Sequence, residues 1–341
     1  MLGIESSCDE TAAAIVTADR RILSNIVYSQ VTEHKLFGGI VPEIAARAHL
    51  EKIDVVVKKA LDDANLKIAE VSAVAGTCGP GLIGGLIVGA TFAKAISMAR
   101  CIPFIAVNHI EAHAISIRLT EDIDFPYLLL LASGGHCQLC IVHAIDRFEV
   151  IGKTIDDSIG ESFDKVAKLL GLGYPGGSAI EKTSAAGNNE RFSLPRPLCR
   201  KGLRDFSFAG LKTAVRIAEG KCITEQDKVD LCACFQKAVI DILVYKVEQA
   251  LKICENKNLT GVVMAGGVAA NKAIRTALQN ICNDYGLNFL APPINLCTDN
   301  GAMIAWLGVE KFLANQYGDL KFSPRPRWPM SENLEQSYPL N

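Results

Sequence analysis

Apolar runs separated by short polar turns open the chain, and the same pattern recurs near its middle. The first run spans 2–16 and turns at Asp19–Arg20, whereas the second spans 129–142 and turns at Asp146–Arg147. Each copy predicts a strand, a short polar loop, a second strand, a turn and a third strand. The repeated order indicates two related α/β lobes.

Each copy is followed later by an apolar strand, glycines and a helix. In the first half the strand 71–77 leads through glycines to a helix at 86–99, and in the second half 261–265 leads to a helix at 272–280. Because glycine-rich strand ends and helix N-termini favour phosphate oxygens, two facing lobes predict a nucleotide cleft. The alternative for Ser133-Gly134-Gly135 is an ordinary hairpin turn.

Two further segments stand out between these elements. A long helix is predicted from Pro42 to Asn65, with proline in its first turn and an apolar face. The segment from Gly187 to Arg204 is the most basic stretch, and it is either a solvated loop or a phosphate contact. Its cations are Arg191, Arg196, Arg200, Lys201 and Arg204.

Composition and charge indicate the general class of protein to which the chain belongs. With 341 residues, 49% hydrophobic, the chain can bury a substantial core, and a net charge of −2 gives no global field for nucleic acid. We expect no signal peptide, and 82–99, interrupted by glycines and Lys94, predicts a buried helix instead of a membrane span. We therefore expect a cytoplasmic protein with no membrane association. Its twelve cysteines are then expected to be reduced thiols. Cys137 and Cys140, on a predicted strand, would face opposite sides, which disfavours a zinc ribbon.

A pair of histidines carries the strongest chemical signal. His109 and His113 lie four residues apart, the spacing that puts two imidazoles on one helix face, and Asn108 is a predicted N-cap. A metallopeptidase HExxH motif would need glutamate directly after His109. Isoleucine stands there and Glu111 follows one residue later, which weakens the peptidase hypothesis.

A third metal ligand is expected from elsewhere in the chain. Asp299 lies where a predicted strand end enters a helix, and its alternative role is to cap that helix. Two histidines and one aspartate leave coordination positions open, which suits Fe(II), Zn(II) or Mg(II).

Several motifs together give a family resemblance that extends from residue 2 to about 307. The chain resembles the tRNA threonylcarbamoyltransferases, in the bacterial and mitochondrial style known in bacteria as TsaD and formerly described as O-sialoglycoprotein endopeptidases. The matching motifs are 3–11, 38–49, 108–113, 133–136, 163–177, 205–212 and 265–271.

This resemblance implies an actin-like α/β fold made of tandem RNase H-like lobes with a cleft between them. We expect one lobe at 1–125 with an inserted helix at 42–64, a second lobe at 126–307 with a basic insertion at 187–230, and a C-terminal helix and tail at 308–341. The implied activity transfers threonylcarbamoyl from threonylcarbamoyl-adenylate to N6 of adenosine 37 in tRNAs that read codons beginning with adenine.

The resemblance also implies site residues and partners. His109, His113 and Asp299 would hold one divalent metal per subunit, with Fe(II) expected before Zn(II) or Mg(II). Implied partners are tRNA, an inactive TsaB-like paralogue, expected on the helix from Pro42, and a TsaE-like ATPase. No general base is assigned, although Asp9 and Glu10 are candidates for positioning the attacking amine. The adenylate would be held by Leu131, Ala132, Ser133, Gly134, Gly135, Asp164, Gly177, Glu181 and Asn271.

Two other functions stay open at this point. One is a metal-dependent glycoprotein endopeptidase, and the other is a non-catalytic nucleotide-binding scaffold. The histidine pair argues against the scaffold, because a scaffold needs no metal ligands.

Overall fold

A computed structural model describes residues 1–35, 37, 39–318 and 320–330. The strands are β1 (Leu2–Glu5), β2 (Glu10–Val16), β3 (Ile22–Ser29), β4 (Val74–Gly79), β5 (Phe104–Asn108), β6 (Tyr127–Ala132), β7 (Cys137–Ala144), β8 (Arg147–Lys153), β9 (Val262–Ala265) and β10 (Phe289–Leu290). The helices are α1 (Val31–Lys35), α2 (Pro42–Asp63), α3 (Ile83–Arg100), α4 (His109–Ile115), α5 (Ile117–Thr120), α6 (Ile159–Leu169), α7 (Gly176–Ser184), α8 (Ala209–Glu219), α9 (Glu225–Ile253), α10 (Lys272–Asp284) and α11 (Gly301–Leu313).

The chain folds into two compact units. The first contains 1–122, 145–147 and the described residues from 298 onward, and the second contains Ile123–Ala144 and Phe148–Cys297. The lobe boundaries expected from the sequence stay a prediction, and they differ from this division by giving residues 123–125 to the first lobe and residues 145–147 and 298–307 to the second. Residues 331–341 of the expected tail lie outside the described residues.

The two units share one sheet plan. In the first unit the strand order is β3-β2-β1-β4-β5, with β1 antiparallel to β2 and parallel to β4. In the second unit the order β8-β7-β6-β9-β10 places β6 antiparallel to β7 and parallel to β9. The strand-loop-strand-turn-strand repeat predicted from the sequence is therefore present in both halves.

Helices cover both faces of the strand β1. Leu2 and Ile4 point to one face and belong to a core that includes Ile53 and Val56 of α2. Gly3 points to the other face, where a Cβ atom would lie 2.5 Å from the Gly301 oxygen of α11. Glycine at this position thus lets α11 pack directly on the sheet backbone.

The second unit has a core of its own around the 29-residue helix α9. Phe235 of α9 meets Phe163 of α6 edge to face, with ring centroids 5.1 Å apart. Cys137 and Cys140 are both buried, and all twelve cysteines are free thiols, as the sequence predicted.

One described helix, α3, is long and apolar enough to cross a membrane, and 33% of it is buried. One such helix is weak evidence, because core helices pass the same test. It packs against β4 and α2 within the first unit. The helix predicted at 86–99 thus begins three residues earlier, and the one predicted at 272–280 continues to Asp284.

Candidate functional site

The short helix α4 presents both predicted histidines. The Asn108 side chain caps the helix by accepting from Ile110 N at 2.8 Å and Glu111 N at 3.2 Å, as predicted. His109 and His113 then lie one turn apart, with ring centroids 4.8 Å from each other and planes at 90°. Both rings are buried, so their geometry is fixed by packing.

Asp299 lies against both histidines. Its Oδ1 is 3.0 Å from His113 Nε2 and 3.4 Å from His109 Nε2, and the candidate ligand atoms of the three residues lie within 4.8 Å of one another. The expected strand before Asp299 is instead a 3₁₀ turn, Ile294–Leu296. Asn300 caps α11 by accepting from Met303 N at 3.1 Å, so Asp299 does not fill its alternative capping role.

Glu5, at the end of β1, was not predicted to contribute. Its side chain is 1% exposed, and its Oε2 lies 3.0 Å from His109 Nδ1. Thr77 donates to the same oxygen at 2.6 Å, and Ser7 N donates to the other oxygen. Ser7 Oγ also lies 3.1 Å from His109 Nδ1. These bonds occupy Nδ1 and leave Nε2 directed at Asp299. The sequence contained one indication of this role, because Glu5 is a single carboxylate at the end of an otherwise apolar strand.

The pKa values of His109 and Asp299 depend strongly on the charges of their neighbours. Burial alone would lower the pKa of His109, but the carboxylates of Asp299 and Glu5 raise it well above its usual range. Burial likewise opposes ionisation of Asp299, yet the two histidines hold its pKa well below the usual range. The pocket therefore favours a positive charge between its carboxylates.

The donor set fits a divalent cation. Two imidazole nitrogens and one carboxylate oxygen are the ligands of open transition-metal sites, and a carboxylate behind one histidine is the common supporting arrangement. His113 Nδ1 is buried without a hydrogen-bond partner among the described residues.

Two more acidic residues follow Glu5: Asp9 lies in the polar loop after β1, and Glu10 begins β2. Asp9 is buried, and burial together with the charges of Asp299 and Asp9 raises the pKa of Glu10 to about 10. The acidic surroundings therefore favour the protonated form of Glu10.

Glu111, which lies one position after the place where a peptidase motif would need its glutamate, is held in an ion pair. Its Oε2 lies 3.0 Å from Lys311 Nζ, and the two side chains are 8% and 4% exposed. A carboxylate bound to a buried ammonium is not free to accept a proton from water. The pair instead ties α4, which carries the histidines, to α11, which follows Asp299.

The segment 320–330, called the C-terminal strap below, also supports the cluster. Arg325 N donates to Cys78 O at 2.7 Å, and Asn108 Nδ2 donates to Trp328 O at 3.1 Å. Gly79 has φ +146°, and a Cβ atom there would collide with the Arg325 carbonyl. The strap thus packs on the end of β4 and on the capping residue of α4.

The predicted nucleotide residues lie in the second unit. Ser133 begins a tight turn in which its N–H donates to His136 O at 2.8 Å, while Gly160 N donates to Ser133 O at 3.2 Å. Leu131 and Ala132 are fully buried at the end of β6, so their side chains are not available to a ligand. A Cβ atom on Gly134 or Gly135 would meet nothing within 4 Å, which leaves this turn open.

The remaining predicted residues form two small groups. Asp164 accepts from Gly176 N at 2.7 Å, next to Gly177 at the start of α7. Glu181 accepts from Lys272 N at 2.6 Å, beside Asn271, which caps α10. Both groups belong to helix N-termini, where backbone N–H groups favour anions. Their role in holding an adenylate stays a prediction.

Comparison with known proteins agrees with this arrangement. Residues 21–306 match the family model TsaD, tRNA N6-adenosine threonylcarbamoyltransferase. A protein from Brucella canis named tRNA N6-adenosine threonylcarbamoyltransferase is 55% identical over 342 residues, covering 97% of this chain and 95% of its own. The Brucella suis protein of that name is similar to the same extent.

The chain belongs to this family.

Solved structures of low sequence identity share its fold. Component A of (R)-2-hydroxyglutaryl-CoA dehydratase from Acidaminococcus fermentans superposes with a TM-score of 0.56 at 16% identity, covering 92% of this chain and 98% of that one. HypF from T. kodakarensis gives 0.60 at 13% identity, covering 92% of this chain and 48% of that one. The predicted actin-like α/β fold class is confirmed.

Proposed function

We propose that the protein transfers the threonylcarbamoyl group of threonylcarbamoyl-adenylate to N6 of adenosine 37 in tRNAs that read codons beginning with adenine, releasing AMP. The observation that carries the proposal is the His109–His113–Asp299 set, with both histidines buried, in a chain of the TsaD family. We place the protein in the cytoplasm, where tRNA is modified.

In this reaction the amine N6 attacks the carbamoyl carbon, the bond to the adenylate oxygen breaks, AMP leaves with that electron pair, and N6 releases one proton to solvent. The leaving group is already good, so a nucleophilic side chain is not required. The work left to the protein is to orient the two substrates and to stabilise developing negative charge.

In the first unit we assign His109, His113 and Asp299 to one divalent metal, and propose Fe(II) before Zn(II) or Mg(II). A metal bound there supplies a Lewis acid for acyl or phosphate oxygens. Glu5 orients His109 by accepting from its Nδ1–H. Asp9 and Glu10 remain candidates for positioning the attacking amine, and we assign no general base.

In the second unit we assign the adenylate to the turn Ser133–Gly135 and to the N-terminal ends of α7 and α10. The open glycines let phosphate oxygens approach backbone N–H groups. Asp164, Glu181 and Asn271 hold those ends in place through the hydrogen bonds described above, and we assign to them the binding of the nucleoside hydroxyls.

We also propose that an inactive paralogue docks on α2 and α3, with an ATPase as a further partner. Leu50, Ile83 and Ile87 are large apolar side chains that are 68%, 47% and 49% exposed. The two helices touch at Gly84, where a Cβ atom would lie 2.7 Å from Ala46 Cβ. Leu50 and Ile87 lie about one turn from that contact, and Ile83 is next to Gly84 in the chain. An exposed apolar patch of this kind suits a protein partner.

Leu50→Glu should abolish co-purification with the paralogue, whereas Val150→Glu, a change at an exposed site in the other unit, should not.

The test supplies purified protein with its partners, ATP, synthetic threonylcarbamoyl-adenylate and unmodified tRNA, and measures the modified nucleoside by mass spectrometry. We expect His109→Ala to abolish product, whereas His143→Ala, which removes a histidine paired with Glu149 in the second unit, retains it. No product from a metal-loaded wild-type complex would refute the proposal. Cleavage of a glycoprotein that depends on His109 but survives changes at Ser133–Gly135 would favour the endopeptidase instead.

A further inference from the structure

The loop 198–205, called the basic loop below, carries three cationic side chains within five positions. Arg200, Lys201 and Arg204 are all exposed, and no salt bridge joins them to a carboxylate among the described residues. Asp205, the acidic residue of the loop, uses its carboxylate to accept from Lys153 N at 3.0 Å. The loop therefore presents a local excess of positive charge on a chain whose net charge is −2.

The basic loop is held in one conformation by a buried lysine. Lys246 of α9 is 2% exposed, and its Nζ donates to Leu198 O and Leu203 O, both at 2.8 Å. An ammonium group is costly to bury, and two carbonyl oxygens of the same loop offset part of that cost. Leu198 and Gly202 adopt left-handed backbone angles, φ 56° and 85°, which turn the chain before the cationic stretch and within it.

A second anchor on α9 fixes the chain just before the loop. Asp241 accepts from Arg196 Nε at 3.1 Å and from Arg196 Nη2 at 2.7 Å. Arg196 therefore forms an ion pair within the fold. The three cations of the basic loop form no such ion pair among the described residues. The basic segment 187–204 thus contains cations that stabilise the fold and other cations that are available to bind a ligand.

The end of the loop joins the sheet of the second unit. Phe206 N donates to Lys153 O at 2.9 Å, and Thr154 N donates to Cys137 O at 2.8 Å. Cys137 begins β7 two residues after Gly135, so a short series of hydrogen bonds links the basic loop to the proposed nucleotide turn. Lys153, also exposed, adds a fourth cation beside the loop.

We propose that the basic loop binds the phosphate backbone of an RNA, which is the tRNA substrate if the proposed function holds. Arginine and lysine are the side chains that bind phosphates, and neutralising them releases counterions from the nucleic acid. Because Lys246 already holds the loop, little conformational freedom is lost when RNA binds.

The experiment measures binding of unmodified tRNA to the metal-loaded protein, alone and with its partner subunits, by fluorescence anisotropy at several salt concentrations. The triple variant R200A/K201A/R204A should weaken binding about tenfold or more and reduce the slope of log K against log salt by about two to three. The matched control R21A/K67A/R147A removes three exposed cations from the first unit, outside α2 and α3, and should stay within about twofold of wild type.

Equal tRNA binding by the triple variant and wild type would overturn the inference, and so would equal losses in both triple variants. Loss of an acidic protein partner with tRNA binding unchanged would also overturn it. These outcomes differ from failure of the proposed function, in which the wild-type complex itself forms no modified tRNA.

Discussion

Replacing Glu5 with glutamine tests whether this buried carboxylate sets the metal affinity. In the wild type, one carboxylate oxygen accepts from His109 Nδ1 and Thr77 Oγ1, and the other accepts from Ser7 N. Glutamine offers a single acceptor oxygen. If that oxygen faces His109, the amide nitrogen meets the Ser7 N–H. If it faces Ser7, the amide donates to Nδ1 and puts the proton of His109 on Nε2, the atom that should bind the metal.

Either orientation of the glutamine leaves one donor without an acceptor in a fully buried position. Such a loss is worth about 1–3 kcal/mol, and about 1.4 kcal/mol corresponds to a tenfold change in affinity. We therefore expect Glu5→Gln to weaken metal binding by about 10–100-fold, the range typical of residues that orient metal-binding histidines.

The assay titrates metal-free protein with Zn(II) or Fe(II) against a chromophoric chelator. Thermal unfolding without metal shows separately whether the variant is folded. The control is Glu43→Gln, the same change at an exposed residue of the same unit that pairs with Arg47. Metal affinity of Glu5→Gln within about twofold of wild type would refute the reasoning, because the predicted range begins at about tenfold.

Three changes away from the ligands test the supports of the cluster. Lys311→Met should lower the free energy of unfolding by about 3–5 kcal/mol in urea, since Glu111 would be left buried without its cation; adding Glu111→Gln should recover part of the loss, and no recovery would contradict the pairing. Asn108→Ala should cost about 1–2 kcal/mol and speed amide exchange in the first turn of α4, because two N–H groups lose their cap. Gly3→Ala should destabilise by about 1–3 kcal/mol or more, because its Cβ would overlap the backbone of α11; Gly39→Ala, where a Cβ meets nothing within 4 Å, should be close to neutral in the same urea titration.

Local patterns were sufficient for much of the fold. The strand-loop-strand-turn-strand repeat follows from alternating apolar residues and turn residues, which act over a few positions. The histidine pair and its cap Asn108 were predictable for the same reason, because helix periodicity and capping depend on neighbours in sequence.

What the sequence did not reveal depends on contacts between distant segments. Nothing local to Glu5 indicates that it will meet His109, and nothing local to Lys311 indicates Glu111. The capping role considered for Asp299 belongs to Asn300, one position later, and helix ends are the least determined part of any prediction from pattern. Lys246 likewise gives no sign in the sequence that it will anchor the basic loop.

The first unit is discontinuous, and this has a consequence for protein synthesis. The ribosome completes α4 and its histidines early, but Asp299, Lys311 and the C-terminal strap emerge only after the whole second unit has been made. The α11 helix that covers Gly3 of the first strand also comes last. A nascent chain therefore carries the two histidines before Asp299 exists, so a cluster that needs all three side chains can form only after the second unit has been synthesised.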